Sequence, residues 1–171
     1  MNKLYTLRKL FSLRLTLFLC SLSAMLSGVA AHAYPQYLRI VSYNIRHGEG
    51  LDGRLDFLRL CNVLEQQSPD VVALQEVDSC TARCQGRYGL GEMANRMGYF
   101  ASFGPAIDYD GGKYGVGLLS RQRPLRVRQI PLPGREEART LLIVEFADYV
   151  FAATHLSLDE ADRLESAVRI V

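Results

Sequence analysis

The decapeptide "PDVVALQEVD" (residues 69–78) decides how the chain is read. Its unbroken apolar run has the character of a strand buried on both faces, as in a covered sheet. The run then ends in Gln75, Glu76 and Asp78, so acid stands where a core strand comes up for solvent. A strand that served only the core would not need that ending. Upstream, "YLRIVSYNI" (37–45) alternates and is rich in β-branched and aromatic residues, which predicts a strand ending at Asn44. Between the two, "LDFLRLCNVLEQQ" (55–67) sets Leu55, Leu58, Val63 and other apolar residues at helical spacing until Pro69 stops it. Strand, helix and strand with short connections predict a βαβ unit with neighbouring parallel strands.

Further along the organisation changes. "LGEMANRMG" (90–98) reads as a short helix stopped by Gly98, "YFASFG" (99–104) as a strand, and "IDYDGGKYG" (107–115) as a glycine-rich turn. "VGLLSR", "LRVRQIPL", "ARTLLIVEF" and "YVFAATHL" then follow as strands, the last two joined by a hairpin at Ala147 and Asp148. "DEADRLESAVRIV" (159–171) predicts a helix with Asp159 at its start.

Residues 1–33 have the form of a cleaved export signal: a basic head (Lys3, Arg8, Lys9, Arg14), the uncharged apolar stretch 15–30, and the small-x-small "AHA". The expectation is a mature domain over 34–171, exported to the periplasm, the outer surface or the medium. Of 20 Lys and Arg, four lie in the leader, which leaves 16 against 18 Asp and Glu, a net charge of −2. The mature charge therefore gives no support to a nucleic-acid partner. The arginines 121, 123, 126 and 128 read as the exposed face of an edge strand, without the aromatic partners a single-strand groove would want. Cys80 and Cys84 are close enough in a loop to pair in an oxidising compartment, Cys61 reads as a buried thiol, and "CTARC" lacks the second ligand pair of a zinc site.

Polar residues end three predicted strands: Asn44, Glu76 and, in "ATHL", His155. In α/β sheets such ends share a rim where ligands sit. A carboxylate suits a hard cation, an amide orients water or a phosphate oxygen, and an imidazole donates to an oxyanion. Together these are the needs of phosphate-ester hydrolysis. Lys113 and Tyr114 are within reach of a phosphate at that rim. His47 and Glu49 read as solvated loop, and Asp78, Arg83 and Arg87 as loop charges.

"VSYNIRHG", "PDVVALQEVD", "YGVGLLSR" and "FAATHLSL", in that order and spacing, resemble the endonuclease/exonuclease/phosphatase superfamily of metal-dependent phosphodiesterases, which includes deoxyribonucleases and sphingomyelinases. The resemblance implies an α/β fold, a four-layer αββα sandwich of two mixed sheets. It implies Glu76 as a metal ligand, Asn44 as its support, His155 as the group that holds the scissile phosphate, Arg139 as a brace, and magnesium or manganese as cofactor. Relatives carry Gly-Asp-x-Asn and Ser-Asp-His segments after the position of His155. This sequence has no Gly-Asp, no Asn after Asn95 and no His after His155. The expectation is the N-terminal half of the fold, with an uncovered apolar face. Two functional readings follow: an exported hydrolase of phosphate esters, inactive as this fragment, or a non-catalytic remnant or binding module with a weak metal site.

Overall fold

The strand that ends in acid is an interior strand of a four-stranded sheet in the computed structural model, which describes residues 37–171. The expected leader lies outside the described residues. Strand β1 (Ile40–Asn44), helix α1 (Phe57–Gln67) and strand β2 (Val71–Ser79) form the predicted βαβ unit. The two strands run parallel, in register from Ile40 opposite Val71 to Asn44 opposite Gln75. On its other side β2 pairs antiparallel with β4 (Gly112–Ser120), and β3 (Phe100–Tyr109) closes the sheet in the order β1-β2-β4-β3. Helix α2 (Gly89–Met97) stands between β2 and β3 in the chain. A second sheet, β5 (Arg126–Leu132), β6 (Arg139–Glu145) and β7 (Val150–Thr154), is antiparallel throughout among the described residues, and helix α3 (Glu160–Ile170) follows it. The expected α/β sandwich is present, with one mixed sheet rather than two.

The run "VVAL" is buried on both sides because it serves two cores. Val72 and Leu74 pack with Phe57, Leu60 and Leu64 of α1 and Leu90 and Met93 of α2. Val71 and Ala73 face the other way, packing with Val116 and Leu118 of β4 and Leu142, Val144 and Ala153 of the second sheet. Each fully buried leucine here is worth on the order of 2 kcal/mol of transfer free energy. Cys61 is buried in the first core, as expected. The face of α1 differs from the expectation: Phe57, Leu60, Cys61 and Leu64 point inward, while Leu58 and Val63 are exposed. The inward residues are the i, i+3, i+4, i+7 set, and that stripe packs with Val72 and Leu74 of β2. Asp56 accepts the Arg59 amide at 2.9 Å and fixes where the helix begins, and Ser68 ends it in the left-handed region at φ 46.

Strand β3 runs five residues beyond the predicted "YFASFG", as far as Tyr109, so the glycine-rich segment is mostly strand rather than turn. The turn itself is two residues, Asp110 (φ 47) and Gly111 (φ 79), the pair of positive φ values that a tight hairpin twisting with its strands requires. Strands β6 and β7 form the expected hairpin, closed by the Phe146 amide donating to the Tyr149 carbonyl at 2.8 Å. Helix α3 starts at Asp159, whose carboxylate caps the Asp162 amide at 3.0 Å. Its buried residues are Asp162 and Ser166, and it exposes Leu164 and Val168.

One irregularity shapes the sheet. Leu74 faces Gly117 and Val77 faces Gly115, three residues of β2 spanning two of β4, which is a β-bulge at Gln75–Glu76. A second extra residue lies between Pro105 and Ile107 of β3, also against Gly115. A Cβ on Gly115 would come within 2.1 Å of the Gly104 carbonyl oxygen and 2.9 Å of the Ala106 nitrogen, both of them backbone atoms that have no rotamer to yield. Gly115→Ala should therefore destabilise the domain by roughly 1–3 kcal/mol, the usual cost of overpacking. Urea unfolding of the two proteins measures it, and equal midpoints would show that the bulges relax freely.

Candidate functional site

The bulge puts Glu76 at φ 56, a left-handed conformation that a non-glycine residue holds only where the surroundings enforce it. The consequence is directional. Without the extra residue, strict alternation would turn the side chain at 76 toward the helix-side core with Val72 and Leu74; with it, the carboxylate leaves the core and reaches the rim half-buried. There Oε1 accepts a 2.7 Å hydrogen bond from Asn44 Nδ2, and Asn44 Oδ1 takes the Arg46 amide at 3.1 Å. The amide of Asn44 is thus fixed from both ends, as a turn-forming residue and as the orienter of Glu76.

Glu76 shares a cavity of about 120 Å³ with Arg83, Tyr109, Tyr114 and Glu137. Glu137 lies in the loop before β6 and was not singled out from sequence; it reads there as one more charge in "REEAR". In the fold its Oε1 stands 2.9 Å from Arg139 Nη1. Arg139, at the start of β6 and only 8% exposed, also reaches Glu136 at 3.4 Å and His155 Nδ1 at 3.4 Å, while its Nε has no partner. The three predicted strand ends are therefore brought together: Asn44 touches Glu76, Glu76 faces Glu137 across the cavity, and Glu137 leads through Arg139 to His155. Arg139 joins them through its contacts with Glu137 and His155.

The imidazole is polarised by that neighbour. A guanidinium can only donate, so Nδ1 of His155 accepts and the proton of the neutral ring sits on Nε2. Burial pushes the His155 pKa below its usual value of 6.5 and the Arg139 charge pushes it further, against the opposing pull of Glu76 and Glu137. Tyr114 is affected in the other direction. Burial, then the negative charges of Glu137 and Glu76, raise its phenol to about 12, so it remains a protonated donor on the cavity wall.

Other expected positions turn out otherwise. Lys113 pairs with Asp108 across the β3–β4 hairpin and lines no part of the cavity, whereas its neighbour Tyr114 does. Alternation along β4 separates the two. Asp78 is not a loop charge but a buried carboxylate, 3% exposed, that accepts Arg83 Nε and Nη2 at 2.7 Å each and Thr81 Oγ1 at 2.5 Å. Burial would raise its pKa, but these hydrogen bonds outweigh that and hold it below the usual range. Arg87 instead pairs with Glu92 and lies over the Phe57 ring. His47 is half-buried beside Glu49 at 3.6 Å, rather than a solvated loop residue. Cys80 and Cys84 are both free thiols. Cys84 turns inward to within 3.3 Å of the His47 carbonyl oxygen and 3.5 Å of Asp78 Oδ2, while Cys80 is exposed, so the expected disulfide is not formed. Burial, first of all, pushes the Cys84 thiol up to about 11.

Among the described residues no three His, Cys, Asp or Glu side chains converge as a ready metal cage. The donors that do meet are oxygens: the Glu76 carboxylate, with the Glu137 carboxylate lining the same cavity. That is a set for a hard cation which keeps most of its water, and magnesium is such a cation. No helix among the described residues is long and apolar enough to cross a membrane.

Comparison with known proteins agrees with this fold. An endonuclease/exonuclease/phosphatase from Beutenbergia cavernae is 26% identical with a TM-score of 0.65, over 78% of this chain and 42% of its own. A family protein from Leptotrichia buccalis has a TM-score of 0.58 at 12% identity over 79% of this chain and 63% of its own, and TDP2 from Caenorhabditis elegans a TM-score of 0.55 at 18% identity over 78% and 40%. The chain thus spans between two-fifths and two-thirds of the length of these structures. No curated protein matches the sequence. The model of the Endonuclease/Exonuclease/phosphatase family matches residues 41–168, nearly all of the described domain, and the chain belongs to that family.

Proposed function

We propose that the rim around Glu76 is the phosphate-binding and metal-binding centre of an exported hydrolase of phosphate esters that works with magnesium, or with manganese in its place. One observation carries the reading: a carboxylate turned out of a core strand by a bulge at positive φ and locked by Asn44 at 2.7 Å. Strain of this kind persists where function requires it, because the fold gains nothing from an acid at that point. Glu76 would hold the cation, Glu137 would face it across the cavity, and Asn44 would keep Glu76 aimed. The metal supplies neutralisation of phosphate charge and polarisation of the phosphoryl group. The chain's own groups do the rest. His155 offers the Nε2 hydrogen to a phosphate oxygen, Arg139 holds the ring in that tautomer, and the Tyr114 hydroxyl is a second donor. Substrates of this family reading range over nucleic acids, phospholipid head groups, and inositol and sugar phosphates.

A second reading rests on His155 itself. Its Nδ1 faces a guanidinium, which cannot take up a proton, so the ring is built to donate and not to draw a proton from water. On that reading this chain binds the cation and the phosphate ester without turning the ester over. Hydrolysis of bis-p-nitrophenyl phosphate by the purified chain with magnesium separates the two readings: turnover that Glu76→Gln abolishes carries the first, and cation and ester binding without turnover carries the second.

Glu76→Gln should weaken magnesium binding at least about tenfold, from a starting affinity that a site with so few charged ligands holds in the millimolar range. Calorimetric titration reads this directly, and an unchanged binding curve would remove Glu76 from the metal. His155 should titrate below 6.5 by proton NMR, and Arg139→Gln should raise its midpoint because burial is then the one influence left to oppose the negative charges of Glu76 and Glu137. With the folded value below the unfolded one, the folded state binds fewer protons between the two. Stability should therefore rise with pH across that window and be lost as pH falls through it. A midpoint that does not move in the variant would show that Arg139 and His155 are not coupled.

A further inference from the structure

Two residues past Glu76, the same strand carries the buried Asp78, and its partner Arg83 lines the same cavity as Glu76. The guanidinium is committed on one edge only. Nε and Nη2 are held by Asp78 at 2.7 Å each, and Nη1 has only the Tyr109 hydroxyl, at 3.4 Å. The loop that carries it is pinned as well: the Arg83 amide donates to Asp110 Oδ2 at 2.7 Å and the Ala82 amide to the Asp110 carbonyl at 2.8 Å. The guanidinium carbon sits 4.4 Å from the Tyr109 ring centre and 5.6 Å from that of Tyr114. Bidentate pairing, an aromatic face and a clamped backbone leave the group no freedom to leave the cavity wall.

A buried ion pair alone is a poor source of stability, since two apolar residues of similar volume serve the fold as well. What this pair produces is a cation held in one orientation, with one nitrogen bound only by the Tyr109 hydroxyl at 3.4 Å, beside the carboxylate proposed to hold the metal. We propose that Arg83 is a specificity-determining residue that takes a second oxyanion of the substrate, so that the preferred ester carries a further phosphate next to the one held at Glu76. The inference rests on the phosphate-ester reading of the Glu76 rim. The shared chemistry is a second phosphate one unit away, as found in a terminally phosphorylated oligonucleotide or in a phosphorylated inositol diester.

Calorimetry on the full chain with magnesium tests it with two matched pairs of ligands: thymidylyl-thymidine with and without a terminal 5′-phosphate, and glycerophosphoinositol with and without a 4-phosphate. Within one pair or both, the ligand bearing the extra phosphate should bind about tenfold more tightly or better, as a charge-assisted contact allows, and the pair that shows it identifies the source. In Arg83→Gln that ratio should fall toward one. Because the variant strips a buried carboxylate of its partner and so destabilises the fold, a second measurement uses the natural protein: the Arg83 side-chain nitrogen resonances should shift on adding the preferred phosphorylated ligand and not its unphosphorylated counterpart. Equal affinities within both pairs, or arginine resonances that stay in place, overturn the proposal. If both pairs bind equally while Glu76→Gln still weakens magnesium binding, Arg83 loses its role and the Glu76 reading stands. A ratio that holds in Glu76→Gln, with magnesium binding unchanged, sinks the Glu76 reading and leaves Arg83 in place.

Discussion

The whole arrangement turns on one extra residue in β2. A strand alternates sides with period two, so one inserted residue exchanges the faces of everything beyond it. Up to Leu74 the strand feeds the two cores; beyond the bulge Val77 returns to the helix side while Glu76 is left at the rim. Gly115 makes that possible. It is the residue against which both neighbouring strands bulge, and its missing side chain is the space into which the Gly104 carbonyl comes. Acid at the end of a buried strand is thus a consequence of backbone geometry, and the hydrogen bond from Asn44 on the parallel neighbour gives the displaced carboxylate its direction.

The far side of the bulge has its own electrostatics. Asp78 is taken wholly out of water, which costs several kcal/mol unless its lone pairs are filled. Arg83, Thr81 and Cys84 fill them, and in doing so tie the loop after β2 to the strand. Cys84 is committed to this as a neutral thiol under the carboxylate. That explains why it does not turn outward toward Cys80: pairing the two sulfurs would withdraw a contact from Asp78 and expose a residue now fully buried. The spacing of the two cysteines in the sequence carries no information about which way each faces.

Much of this was legible in the sequence, and for physical reasons. The βαβ unit announced itself because hydrophobic periodicity changes from two to 3.6 and back within residues 37–78, and Asn44, Glu76 and His155 stood out because polar residues at the ends of apolar strands are few. The hairpin at Asp110–Gly111 was obscured by glycines on both sides of it, which made strand residues look like turn. Glu137 and the inward course of Asp78 were hidden for a different reason. Charged residues in loops are usually solvated, and only the fold shows that one faces Glu76 across a cavity and that the other is shielded by an arginine five residues on. Leu58 and Val63 misled because an apolar residue at helical spacing does not say which stripe of the helix is inward; the fuller i, i+3, i+4, i+7 set of Phe57, Leu60, Cys61 and Leu64 is the one that meets the sheet.

The two halves of the rim are supported unequally, and this bears on how the site behaves. Asn44 and Glu76 stand on a sheet covered on both faces, one by α1 and α2 and the other by the second sheet. Arg139 and His155 stand on a sheet of three strands whose outer helix buries Asp162 and Ser166 and leaves Leu164 and Val168 at 63% and 80% exposure. The inner face of that sheet packs in the apolar core, but what ties the outer helix to it is polar: Glu136 accepts Ser157 Oγ at 2.7 Å and the Leu158 amide at 2.8 Å, and Asp162 accepts the Arg135 amide at 2.8 Å. These contacts draw the Glu136 pKa down to about 2, so the clamp keeps its charge at any pH at which His155 titrates. Hydrogen bonds at a surface hold direction well and resist opening poorly, since water replaces them at little net cost. The Glu76 side of the rim therefore rests on apolar packing against both faces of its sheet, whereas the His155 side leans in addition on hydrogen bonds near the surface.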